Sequence, residues 1–82
     1  MAKKVLKFWA PWCNPCKQLS KSFSAIQTDV VLQEVNVDEE PDVAADYRVR
    51  GIPTLILLDG NNEVSRYTGP LTPDELIDFL SQ

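Results

Sequence analysis

The most constraining feature of this chain is a strand-like run that breaks on two prolines and restarts as a helix with two cysteines at its head. Lys4–Trp9 is rich in β-branched and aromatic residues and reads as a strand. Pro11 and Pro15 interrupt it. Leu19, Phe23 and Ile26 then recur at helical spacing, which predicts a helix over 14–28. Pro15 is tolerated there, because the first N–H groups of a helix have no partner inside it. The spacing of Cys13 and Cys16 puts two sulfurs one helical turn apart, within reach of a disulfide once the loop bends into the helix. Cys13 falls at the helix N-terminus, where unpaired N–H groups and the helix dipole favour an anion. Lowering its pKa from ~8.5 to ~7 would raise the thiolate fraction at pH 7 from about 3% to about 50%, roughly 2 kcal/mol of stabilisation.

Composition narrows the chemistry of that pair. The chain has two cysteines and no histidine, which removes cysteine–histidine nucleophile pairs, histidine acid–base catalysis and mixed cysteine–histidine zinc sites. Two thiols cannot complete a four-cysteine zinc or iron–sulfur site in one chain, so half of a metal site survives only as one shared between chains. No cofactor is expected. The net charge is −4 and no basic run exceeds two residues, so neither nucleic acid nor an anionic membrane is an expected partner. Lys7 interrupts the apolar residues near the N-terminus, and no stretch reaches the ~20 apolar residues of a membrane span. The expected setting is a reducing cytoplasm, where a close cysteine pair is redox-active rather than a structural staple.

At 82 residues, 44% of them hydrophobic, the chain reads as one globular domain, 1–82. Residues 30–37 form a second strand and 38–47 a short acidic helix with Val43, Ala44 and Tyr47 inward. The apolar run 55–58 is a strand buried on both faces. Asp59 to Asn62 make a hairpin turn into a strand over 63–68. Thr72, Pro73 and Glu75 mark a capped helix start, with Leu71 and Leu76 as a hydrophobic staple. Leu76, Ile77, Phe79 and Leu80 are its expected inner face. The order β-α-β-α-β-β-α predicts an α/β fold, a mixed four-stranded sheet covered by three helices, with the first two strands parallel through a right-handed crossover.

These residues resemble the thioredoxin family. The match runs through Phe8-Trp9-Ala10-Pro11-Trp12-Cys13-Asn14-Pro15-Cys16-Lys17, then Asn36-Val37-Asp38, Arg50-Gly51-Ile52-Pro53-Thr54 and Gly69, in the family's order. It begins at the family's second long strand, so the expected core is a shortened one with the element count of a glutaredoxin. The resemblance implies a protein-disulfide reductase; a monomer is the default expectation, with Trp12 and Ile52 as the face of a weak dimer otherwise. Cys13 would be the nucleophile and Cys16 the resolving thiol. Disulfide-containing proteins would be the substrates, and a thioredoxin-reductase-like donor would return electrons. It also implies a cis Ile52–Pro53 bond facing the cysteines, and a docking patch of Trp12, Pro15, Ile52, Pro53, Gly69 and Pro70 on which an extended substrate segment pairs with backbone. Outside the family match, Trp12 could be a core aromatic and Gly69-Pro70 a plain turn.

The chain departs from the family pattern in ways that bear on tuning. Asn14 stands where glycine is usual between the cysteines, and Lys21 replaces a mid-helix proline. Lys7 occupies the place of the family's buried aspartate, and Glu34 the place of its lysine. The expectation is an exchanged pair on neighbouring strands, affecting proton transfer or the pKa of the cysteines; the alternative is two solvated charges. Two other functions stay open on sequence: a glutathione-dependent glutaredoxin, and a non-redox module that binds proteins through the same patch.

Overall fold

The computed structural model describes residues 3–82. Four strands form one sheet: β1 (Lys3–Trp9), β2 (Val31–Asn36), β3 (Thr54–Asp59) and β4 (Asn62–Thr68), in the order β2-β1-β3-β4. β1 and β2 are parallel, while β1–β3 and β3–β4 are antiparallel. The helices are α1 (Asn14–Ser24), α2 (Pro41–Asp46) and α3 (Pro73–Leu80).

Side-chain alternation on the two inner strands makes two cores. Val5, Leu55 and Leu57 point to one face, where Leu19 of α1 and Leu76, Phe79 and Leu80 of α3 cover them. Leu6, Phe8, Ile56 and Leu58 point to the other, where Val43, Ala44 and Tyr47 of the α2 segment pack. β3 is therefore buried on both faces, which is why its sequence is continuously apolar rather than alternating. The β3–β4 loop is Gly60-Asn61, and only Gly60 takes a positive φ, 62°, the backbone pattern of a type II′ hairpin.

Two helix boundaries and one inner-face residue differ from the sequence expectation. α1 ends at Ser24 instead of residue 28. The N–H of Ala25 is shared between the carbonyls of Lys21 and Ser22 and that of Ile26 turns to Phe23, three residues back, tightening the last turn, and Val30 N–H then bonds the Thr28 hydroxyl. Ile26 still reaches the core, from outside the helix. α2 begins at Pro41 instead of residue 38, because Asn36 organises the preceding turn. Its side chain accepts from Asp38 N–H, and its carbonyl from Glu39 and Glu40. Proline also disfavours a helical residue before it, and Glu40 lies outside the helical region. Finally, Ile77 is 45% exposed rather than inward. A helix of eight residues buries one narrow stripe, filled here by Leu76, Phe79 and Leu80.

Candidate active site

The parallel β1 strand ends at Trp9, and the chain turns into α1 through 10–13. Cys13 N–H donates to the Ala10 carbonyl, closing that turn. Cys13 is the N-cap residue of α1, in extended conformation, and its Sγ accepts the backbone N–H of Cys16 at 3.2 Å. A sulfur at an N-cap is thus fixed against the positive end of a helix. Cys13 and Cys16 are joined as a disulfide with their Cα atoms 5.3 Å apart. Both residues are buried, at 4% and 2% exposure, so Cys13 is barely more open than Cys16. With Ala10 they form a small cluster on which Trp9, Val37 and Ile52 pack.

A second loop meets the cysteines from across the sheet. The Ile52–Pro53 peptide bond is cis. The Thr54 hydroxyl donates to the Gly51 carbonyl at 2.6 Å and lies 3.0 Å from the Thr68 hydroxyl. Gly69 N–H donates to the Pro53 carbonyl at 2.9 Å. The φ of Gly69 is 124°, a conformation that side chains strain to adopt. The 51–54 loop is therefore closed on itself through Gly51 and tied at Pro53 and Thr54 to the close of β4.

Trp12 is 67% exposed, and its indole N–H donates to Asp38 at 2.9 Å. That bond holds the ring over a cleft of about 420 Å³ walled by Val37, Ala44, Val49 and Ile52, with Arg50 and Gly51 at its margin. The structure thus brings Ile52 onto the cysteine cluster, sets Trp12 and Ile52 on one cleft, and binds Gly69 to Pro53, the residue after Ile52. Asn14 and Pro15 are exposed on the first turn of α1. Pro70 lines a different hollow, with Gln18 and Ser22, and does not join the Trp12 cleft.

Lys7 and Glu34 are directly opposed in the β1–β2 register, with Nζ and Oε2 3.1 Å apart. Lys7 is buried and the Glu34 side chain is half exposed. Two residues that the sequence reading did not assign a role belong to this neighbourhood. Asp38 orients Trp12. Ser20 accepts from Lys7 Nζ and donates to the Cys16 carbonyl at 3.1 Å. The spacing Cys16 to Ser20, i to i+4 on one helix face, was the available signal for the second.

The Thioredoxin family model matches residues 1–82. A thioredoxin of Mycoplasma pneumoniae is 36% identical over 84 residues, spanning 98% of this chain and 81% of that protein. A thioredoxin of Chlamydia caviae is 40% identical over 81 residues, spanning 95% and 79%. Among solved structures, a mutant thioredoxin from Halobacterium salinarum superposes with a TM-score of 0.89 at 33% identity, over 96% of this chain and 72% of that one. The chain belongs to the thioredoxin family and is a thiol–disulfide oxidoreductase whose redox pair is Cys13–Cys16.

Proposed function

We propose that the domain, residues 1–82, reduces disulfides of other proteins in a reducing compartment, with Cys13 as nucleophile and Cys16 as resolving thiol. The observation that carries this is the N-cap position of Cys13, whose Sγ accepts the Cys16 N–H. The same N–H that caps the helix stabilises negative charge on Cys13 when the pair is reduced. Cys13 thiolate attacks one sulfur of the substrate disulfide, forming a mixed disulfide, and the substrate's other sulfur leaves as a thiolate. Cys16 thiolate then attacks Cys13 Sγ, and the second substrate sulfur leaves. Two electrons and two protons have moved to the substrate, and the protein holds the Cys13–Cys16 disulfide. A thioredoxin-reductase-like donor restores the dithiol.

The docking surface in this reading is the backbone beside Pro53, flanked by Trp12, Ile52 and Gly69. An extended substrate segment pairs there and presents its disulfide to Cys13. Pro15 rims it on the exposed first turn of α1, Pro70 stands apart from it on its own hollow, and Asn14 tunes the pair from between the cysteines. Trapping tests the assignment. With a disulfide-bearing protein substrate, Cys16→Ser accumulates a mixed disulfide through Cys13, and Cys13→Ser accumulates none. The reverse pattern would exchange the two roles. Turnover supported by glutathione alone, and not by a thioredoxin reductase, would move the chain to the glutaredoxin reading. Function retained with both cysteines as serine would make it a binding module.

A further inference from the structure

Among the described residues Lys7 is the only charged residue that is buried, at 2% exposure. It lies beneath the first turns of α1, where its Nζ donates to Ser20 Oγ and to Glu34 Oε2. Stability does not account for it. Removing an ammonium from water costs several kcal/mol in proteins. Its partner Glu34 is half solvated, and an ion pair so arranged does no more for stability than an apolar side chain of the same shape. What the arrangement does provide is a positive charge one hydroxyl away from the backbone of Cys16, because Ser20 passes its own hydrogen bond to the Cys16 carbonyl.

Behind the disulfide, Cys16, Ser20 and Glu34 line one cavity of about 300 Å³, together with Trp9 and Lys17. The indole N–H of Trp9 is buried without a partner among the described residues. A hollow of that size with a free donor and a carboxylate meets the requirements for ordered water.

We infer that Lys7 is a positioning residue that stabilises the thiolate of Cys16, with Ser20 fixing its ammonium against α1 and the cavity carrying the departing proton to Glu34 and solvent. The inference rests on the reading of Cys16 as the resolving thiol. The step is a proton transfer only. The Cys16 S–H bond breaks, the electron pair stays on sulfur, and the proton passes through cavity water to the Glu34 carboxylate or to solvent. The charged groups around Cys16 are Lys17 on α1, Glu34 on β2 and, through Ser20, Lys7 on β1. Trp9, Val37 and Ile52, which pack on the cysteines, bring no charge, and Asp38 is engaged by Trp12.

The test is the absorbance of the Cys16 thiolate against pH in a Cys13→Ser background. Lys7→Met raises the midpoint by about one pH unit, since a cation near an acid favours its charged form. Ser20→Ala raises it less, and Glu34→Gln lowers it by a few tenths because its carboxylate is half screened by water. The opposite signs separate charge from packing. Glu34→Gln is nearly isosteric at a half-exposed site and decides the matter even where Lys7→Met fails to fold. A midpoint left unmoved or raised by Glu34→Gln, or lowered by Lys7→Met, overturns the inference. Turnover of Cys16→Ser is measured separately. Full turnover there removes the resolving role, whatever the titrations give.

Discussion

The N-termini of α1 and α3 are built on one plan and put to different uses. Each has a proline in its first two positions and an N-cap side chain that accepts the backbone N–H of the residue three along. In α3 the pair is Thr72 and Glu75. The threonine hydroxyl accepts from Glu75 N–H at 3.2 Å, and the glutamate side chain accepts from Thr72 N–H at 3.0 Å. In α1 the pair is Cys13 and Cys16, and the return contact is a covalent bond between the side chains. The α3 box satisfies two orphan donors permanently. The α1 cap satisfies one with a sulfur that can be anion or disulfide. The same spacing, and the same electrostatics of a helix end, give stability where the capping atom is inert and chemistry where it is redox-active.

The largest expected effect breaks the comparison at α1. Cys13→Ser keeps a competent cap, since serine is a good N-cap residue, yet disulfide reduction falls to the uncatalysed background in a reductase-coupled turnover assay. At α3 the opposite holds. Thr72→Ala lowers unfolding free energy by about 1 kcal/mol in a urea titration and leaves the turnover rate unchanged.

A smaller effect comes from the end of α2. Val49 N–H bonds the Ala44 carbonyl and Arg48 N–H the Ala45 carbonyl, a Schellman closure that puts Arg48 at φ 56°. Glycine suits that conformation, and Arg48→Gly raises stability by about 0.5 kcal/mol in the same titration. The smallest effect is on β4. A hydrogen bond from Arg66 holds the Glu63 carboxyl below its ordinary value, helped by the charge of Arg66 and opposed by slight burial. A carboxyl depressed on folding adds stability above its unfolded pKa and loses it as pH falls through the folded one. Arg66→Gln therefore flattens the acid limb of the stability curve below about pH 4.5, by a few tenths of a kcal/mol at this solvent-exposed pair.

Much of this was legible before any coordinates. The β-branched and aromatic run of β1, the solid apolar run of β3 and the Thr72–Glu75 box each pointed to the element found there, and their order defines the sheet. Element ends were less legible. The stop of α1 depends on backbone N–H groups choosing carbonyls three residues back, and the start of α2 on the Asn36 side chain, neither of which leaves a hydrophobic pattern. In the site, the cysteines were marked by their spacing and Pro53 by the family resemblance, whereas Ser20 carried only its i to i+4 spacing from Cys16. Serine in a helix is ordinary, and only the buried Lys7 beneath it gives this one a function. The two faces of residues 76–80 show the same limit, since periodicity allowed Ile77 inward while Leu76, Phe79 and Leu80 alone fill the buried stripe.

The reduction potential of the Cys13–Cys16 pair, measured by equilibration in defined thiol–disulfide buffers, tests the central claim most directly. A reductase of this family is expected between about −270 and −200 mV. A value near −120 to −180 mV, roughly the range of oxidants and isomerases, or a pair that forms no disulfide at any poise, would contradict it.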